Sequence, residues 1–292
     1  MLPEFRSYGQ PNMKFTKMHG AGNDYIYVDA RGLNKDWPSL SRKMSDRHFG
    51  IRRDGLILIQ ESEVADLKMS MFNADGSDGE MCGNGIRCFA KYAIERGIVD
   101  SSIKSMDVET LAGVRTIVPH YQDGKVSAAR VSMGKPGLNP RDLPVTLTIQ
   151  QGPVLNYPHR VDGVDLPLTF VSMGNPHAIT FIKQPVADFA LHTIGPKIEH
   201  HEMFPRRVNF EVVNVNGDGN LTARVWERGS GETLACGTGA CAIAVAARLQ
   251  GFSQGSVDIT LPGGTLVIDW DGEGEVYLEG PAEEVFSGEW TV

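Results

Sequence analysis

From Met13 onward, apolar and polar residues alternate over short runs broken by glycine, the pattern of a chain built mostly of strands. The stretch KFTKMHGAGNDYIYVD predicts two strands around a turn at residues 20–24. Residues 56–60 and 66–72 predict two more, and in the latter Leu67, Met69 and Met71 share one face. Further strands are expected at 106–108, 114–118, 126–131, 168–172, 208–215 and 221–226, with hairpin-like ones at 256–260, 265–269 and 275–279. Residues 40–47 predict a short helix, with Ser39 as its N-cap and Gly50 beyond its end.

Two further helices are copies of one segment. CGNGIRCFAKYAIERG begins at Cys82 and CGTGACAIAVAARLQG at Cys236; laid over each other they match Cys82 with Cys236, Gly83 with Gly237, Gly85 with Gly239 and Gly97 with Gly251. In each, a Cys-Gly-x-Gly turn opens a helix and a glycine closes it. In the first copy Ile86, Phe89, Ala90, Ala93 and Ile94 form an apolar stripe, whereas residues 240–247 are apolar nearly all round, as in a helix buried on every side.

The surroundings repeat as well. Gly22–Asn23 recurs as Gly174–Asn175, 152 residues on, and the second Cys-Gly helix starts 154 residues after the first. Near-equal offsets at separate landmarks indicate an internal duplication. The expected fold is α/β: two pseudo-symmetric domains, at 13–135 and 136–283, each a mixed, mostly antiparallel sheet wrapped around its central helix. The Pro- and Gly-rich stretch 134–140 is the expected linker, and a ligand is expected in the cleft between the halves. Residues 1–12 look unlike the strand that begins at Met13 and are read as an extension or tag outside the fold.

Composition narrows the partners. A 292-residue chain with 41% apolar residues can bury two cores. A net charge of −8 disfavours nucleic acid or an anionic membrane, so an anionic ligand must be drawn in by local donors. No stretch approaches the roughly twenty apolar residues of a membrane span, and the N-terminus has no apolar signal core. The four cysteines are expected as reduced thiols, and without converging histidines they make no zinc site. Cys88 and Cys241, inside the helices, read as packing residues.

Cys82 and Cys236 stand where unpaired N–H groups and a helix dipole lower a thiol pKa, and where the glycines let backbone donors grip a carboxylate. Each could equally be a small buried hydrophobe at a tight turn. As a pair they suggest two thiols around one anionic ligand. A thiolate and a thiol on opposite faces of a carbon can invert a stereocentre, one removing the α-proton and the other returning one from the far side. The two must be unequal or share a proton.

The segments HGAGNDYIYVD, FNADGS…MCGNGIRC, MGNPH, RVNF and ERGSGETLACGTGAC resemble the motifs of the diaminopimelate epimerase family, and the resemblance runs from about Met13 to the C-terminus. It implies interconversion of LL- and meso-diaminopimelate, in lysine and peptidoglycan synthesis, without pyridoxal phosphate, other cofactor or metal. It further implies a cytoplasmic homodimer whose final strand, about 284–292, returns to the N-terminal domain. By motif, Cys82 and Cys236 are the acid/base thiols; Asn23, Asn73, Asn175 and Asn209 line the pocket; Gly83, Asn84, Gly237 and Thr238 offer helix-start donors. Glu227 and Arg228 contact substrate, while His177 and Glu227 tune the thiols. Taken singly, Asn23 and Asn175 are explained by left-handed turn geometry and Arg228 by solvation. Glu227 stands where the first copy has Asn73, which makes the thiols unequal.

One segment departs from the family pattern. In GIRRDGLILI, Arg52 and Arg53 replace a glycine and a small or variable residue, and Gly55 stands where some members place a substrate-contacting glutamine. The competing functions are a cofactor-independent racemase of proline or histidine, a cysteine hydrolase or acyl transferase, and a non-catalytic amino-acid binder. A hydrolase needs one Cys-His pair and leaves the second motif copy unused.

Overall fold

The period-two pattern becomes a long mixed sheet that curls around two helices. The computed structural model describes residues 12–51, 54–79, 81–147 and 151–291; Arg52, Arg53 and residues 1–11 lie outside them. Along the first half run β1 (Met13–Gly20), β2 (Asn23–Asp29), α1 (Trp37–Ser45), β3 (Gly55–Gln60), β4 (Leu67–Asn73), β5 (Asp78–Gly79), α2 (Gly83–Glu95), β6 (Met106–Thr110), β7 (Gly113–Gln122) and β8 (Lys125–Ser132). The second half has β9 (Tyr157–Val161), β10 (Val164–Ser172), β11 (Pro176–Phe181), α3 (Leu191–Glu199), β12 (Asn209–Val215), β13 (Leu221–Glu227), β14 (Gly231–Thr233), α4 (Gly237–Leu249), β15 (Val257–Leu261), β16 (Gly264–Asp269), β17 (Tyr277–Pro281) and β18 (Glu283–Trp290).

Pairing in one half repeats in the other. β2 runs parallel to β3 with Tyr25 opposite Gly55, and β11 runs parallel to β12 with His177 opposite Asn209. β4 pairs with the short β5 and runs parallel to β6, as β13 does with β14 and β15. The two sheets join where β8 meets β17 antiparallel, Ser132 opposite Tyr277. Within the second half β9 and β10 form a hairpin, whereas the last strand, β18, crosses back to lie against β1 from Met13–Trp290 to His19–Glu283.

One core cluster holds both central helices, with Ile57, Phe89, Val131, Val225, Ile243 and Leu278 among its buried side chains. α1 and α3 pack on the outer faces, against separate clusters around Leu56 and Phe210.

Several elements differ from the expected ones for physical reasons. α1 starts three residues early, because Asp36, not Ser39, is its N-cap and accepts from the Ser39 N–H at 3.1 Å; Pro38 suits the first turn. α2 reads as amphipathic yet is buried from Gly83 to Ile94. Its polar positions find carbonyls: Arg87 donates to Gly83 O and Pro281 O, and Lys91 to Val126 O and Glu95. α3 and β11 escape the sequence pattern. α3 contains Gly195 and Pro196 and has no side-chain cap, and any Cβ at Gly195 would stand 2.6 Å from the Trp226 ring. β11 opens on a proline, where a strand gives up a donor.

Candidate active site

The site is assembled from the two Cys-Gly turns. Cys82 caps α2 with φ −125° and ψ 117°, and Cys236 caps α4 with φ −120° and ψ 115°. The fourth residue of each turn donates to the sulfur: Gly85 N–H to Cys82 Sγ at 3.4 Å and Gly239 N–H to Cys236 Sγ at 3.3 Å. Both glycines are required for space. A Cβ at Gly85 would lie 2.7 Å from Ile57 Cδ1, and one at Gly239 would lie 3.0 Å from Glu211 Oε1. Identical local geometry therefore rests on different floors, Ile57 in one half and Glu211 in the other.

Both sulfurs open on one cavity of about 370 Å³. Its wall brings together Asn23, Asn73, Cys82, Gly83, Asn84, Asn175, Glu227, Arg228, Cys236, Gly237 and Thr238. Asn209, expected in the wall, and His177, expected to tune the thiols, stand behind it. Asn209 is buried, donating to Pro176 O at 3.0 Å and accepting from the Arg228 N–H at 2.9 Å, so it holds the loop that carries Arg228. His177 is fully buried behind Asn175. Nor do Asn23 and Asn175 serve backbone conformation: the left-handed residues of the two turns are Ala21, Gly22 and Gly174.

On the first thiol, Cys82 Sγ donates to Asn23 Oδ1 at 3.2 Å, and Asn23 Nδ2 donates to Asp54 Oδ2 at 2.6 Å. The Tyr25 hydroxyl also favours the anionic form of this sulfur. On the second, Thr238 Oγ1 lies 3.4 Å from Cys236 Sγ and accepts from Asn175 Nδ2 at 3.2 Å. Asn175 Oδ1 is then left to accept from His177 Nε2 at 3.0 Å, while His177 Nδ1 lies 2.6 Å from Glu211 Oε1. The two imidazole nitrogens thus bridge Asn175 on one side and the Glu211 carboxyl on the other.

Electrostatics separate the thiols. Burial pushes the Cys82 thiol above its ordinary pKa, against the pull of the Gly85 N–H, the Tyr25 hydroxyl and the Asn84 N–H. Burial pushes Cys236 further, and the Glu227 and Glu211 carboxylates add to it. The helix starts were expected to bring a thiol down; desolvation of the thiolate by burial outweighs them. Burial also raises Glu227, which the Thr233 hydroxyl and His177 pull back, and raises Glu211, which His177 pulls back.

Sequence reasoning overlooked several groups. Tyr25 lines the cavity and follows Asn23 by two residues, as His177 follows Asn175; extending the repeat overlay would have found it. Glu211 was signalled by a lone acid in the apolar strand NFEVVNV. Arg115, on β7, gives the wall a second cation beside Arg228. Glu199, at the end of α3, accepts from Trp226 Nε1 at 2.8 Å and the Gly229 N–H at 2.9 Å, steadying the Arg228 loop from below. At Gly55 a Cβ would stand 2.2 Å from Phe72 O, so no side chain fits there.

A family model described as diaminopimelate epimerase matches residues 15–138 and 169–285. A diaminopimelate epimerase of Acetivibrio thermocellus is 50% identical over 279 residues, 95% of this chain and 98% of that protein. One of Methanococcus maripaludis strain C5 is 48% identical over 279 residues, 95% of this chain and 99% of its own. Among solved structures, a probable proline racemase of Agrobacterium radiobacter K84 aligns with TM-score 0.70 at 14% identity, over 94% of this chain and 92% of that one. A PhzF-family phenazine biosynthesis protein of Bacillus anthracis aligns with TM-score 0.69 at 16% identity, over 97% and 100%. At those identities the likeness is one of fold.

Proposed function

The chain belongs to the diaminopimelate epimerase family, and from that premise we propose that it interconverts LL- and meso-diaminopimelate, with Cys82 and Cys236 as the acid/base pair. The observation that carries the reading is that two thiols with matched helix-cap geometry open on one cavity. The substrate α-carboxylate binds at the two helix starts, where the N–H groups around Gly83–Asn84 and Gly237–Thr238 and both dipoles converge. One cysteine, as thiolate, takes the α-proton and becomes a thiol. The other, as thiol, delivers its proton to the opposite face and becomes the thiolate. The carbanion between them is stabilised by the same donors that hold the carboxylate, strengthened as the ligand displaces water.

The remaining residues divide by what they can touch. Asn23 and Asn175 offer an amide on either side of the reacting carbon, each already bonded towards its own thiol region. Arg228 and Asn73, farther along the wall, suit the distal carboxylate and ammonium, an arginine being matched to bidentate carboxylate recognition. Asn209 and His177 act from behind, by fixing Arg228 and Asn175. Lysine and peptidoglycan precursor synthesis is the process such a reaction serves.

Two further proposals accompany this one. The chain works as a homodimer, supported by the apolar side chains Val285 and Phe286 on β18, which are 51% and 44% exposed. It works in the cytoplasm, where a reducing compartment keeps both thiols free.

Turnover of LL-diaminopimelate in D₂O, set beside L-proline and L-histidine, tests the assignment. Deuterium is expected at the α-carbon of diaminopimelate and in neither of the others; no exchange into diaminopimelate overturns it.

A further inference from the structure

Arg87 is fully buried, and no carboxylate partners it among the described residues. Its guanidinium donates to Gly83 O at 2.9 Å and Pro281 O at 3.2 Å, while Nη2 is buried without a hydrogen-bond partner. The fold makes room for it on two sides. A Cβ at Gly20 would lie 2.8 Å from Nη2, and one at Gly280 would lie 3.1 Å from Cζ. Neither glycine has a positive φ, so both are kept for space rather than for backbone freedom. The result is a slot between β1, β17 and the first turn of α2, shaped for a guanidinium.

A buried cation without a counter-ion is costly, and apolar residues of similar volume usually replace it without loss. Something else must offset it. The ionisable groups in its field are sulfurs and a phenol: Cys88 and Cys82 on α2, Tyr27 on β2 and Cys241 on α4. Cys88, Cys241 and Tyr27 are sealed in the core and held protonated by burial. Cys82 alone among the four faces the cavity. It also meets Tyr25 from β2 and the Glu227 carboxylate from β13, and the latter opposes its ionisation.

We propose that Arg87 is an electrostatic positioning residue: its guanidinium, held against Gly83 at the start of α2, is a fixed positive charge that adds to the helix-start N–H groups in favouring the Cys82 thiolate. It touches no substrate and acts through Cys82 alone. The proposal rests on Cys82 being a working acid/base group, and it adds a charge that favours the anion in a thiol otherwise disfavoured as one. It also explains why the sequence places a charged residue on a helix wrapped on all sides.

Iodoacetamide alkylation, followed thiol by thiol with peptide mass spectrometry across pH, reads ionisation without requiring turnover. A failure of this inference is therefore distinguishable from a failure of the epimerase assignment. In Arg87→Gln, which still donates to the carbonyls, the Cys82 midpoint is expected to rise by about one pH unit or more. Alkylation of Cys82 at neutral pH then slows about tenfold, with a smaller change at Cys236. Arg87→Lys, which keeps the charge, is expected to restore most of the difference. An unmoved Cys82 midpoint in folded Arg87→Gln, or an equal shift in Arg87→Lys, overturns the proposal. If the glutamine variant is too unstable to titrate, Gly20→Ala, whose methyl meets Nη2 first, displaces the guanidinium, and an unchanged Cys82 midpoint there overturns it equally.

Discussion

Cys82 and Cys236 share φ and ψ to within a few degrees, so what distinguishes them lies at three repeat-related positions. Tyr25 answers to His177, Ile57 to Glu211 and Asn73 to Glu227. Each change puts the more ionisable group beside Cys236. Glu227 and Glu211 both oppose its ionisation, whereas Cys82 meets a hydroxyl and an amide and feels only Glu227, as its smallest influence. Alkylation of the free enzyme near neutral pH should therefore reach Cys82 first, and peptide mapping of the labelled protein checks the order. Replacing Glu227 by Gln should narrow the gap by lowering the Cys236 midpoint. Loss of either sulfur, as Cys82→Ala or Cys236→Ala, should reduce interconversion by about 10³-fold or more, since each supplies a proton transfer worth that order. Both thiols lie above their ordinary range, so the ionised fraction grows with pH. Turnover is expected to rise about tenfold per unit from pH 7 until the first thiol titrates; a flat pH profile there contradicts the assignment. The Asn73–Glu227 difference was legible from spacing. Glu211 stood out as a lone acid in an apolar strand, but its role was not legible, because it depends on a register that places it under Gly239 and against His177.

At the scale of single elements, the duplicated helix was the most legible part of the chain: capping cysteine, second glycine and closing glycine all stand where the repeat put them. The second glycine is tested directly by Gly85→Ala. The new methyl meets Ile57, which has no room to yield, so a loss of about 1–3 kcal/mol is expected in denaturant unfolding. What the pattern concealed was burial. α2 carries Arg87, Lys91 and Cys88, and periodicity alone cannot tell a polar face in water from polar groups bonded to carbonyls inside a core. Cys88 makes this measurable, since burial pushes its thiol up to about 11. A thiol raised by folding stabilises the native state fully below its unfolded pKa, and that contribution is lost as pH climbs through the folded one. Stability should fall between about pH 9 and 11, by at most ~3 kcal/mol from this group. Cys88→Ala should be less stable at pH 7 by about 1 kcal/mol yet flatter over that alkaline range; guanidinium titrations at the two ends compare them.

Over the whole molecule, the two halves are tied by more than the β8–β17 seam. The last strand, β18, follows the second half but pairs with β1 in the first. Short-range patterning cannot reveal such a crossing. β18 is mostly exposed and gains its place from a partner far away in the chain. The crossing has a consequence for folding. A first half ending near residue 135, where we propose the division, keeps β1 but loses the strand that covers its edge. Phe15 then loses Phe286, whose ring lies 6.0 Å away, and Arg96 loses Glu284 and Ser287. β8 is bared at the same time, having lost β17. Two open edges and an exposed core face are an aggregation hazard. Residues 12–135 produced alone should therefore be insoluble or molten. Co-expression with residues 136–292 should restore a soluble complex, because the missing β17 and β18 arrive with the second fragment. A first fragment that is monomeric, soluble and cooperatively folded by itself would show that the returning strand is not what holds this half together.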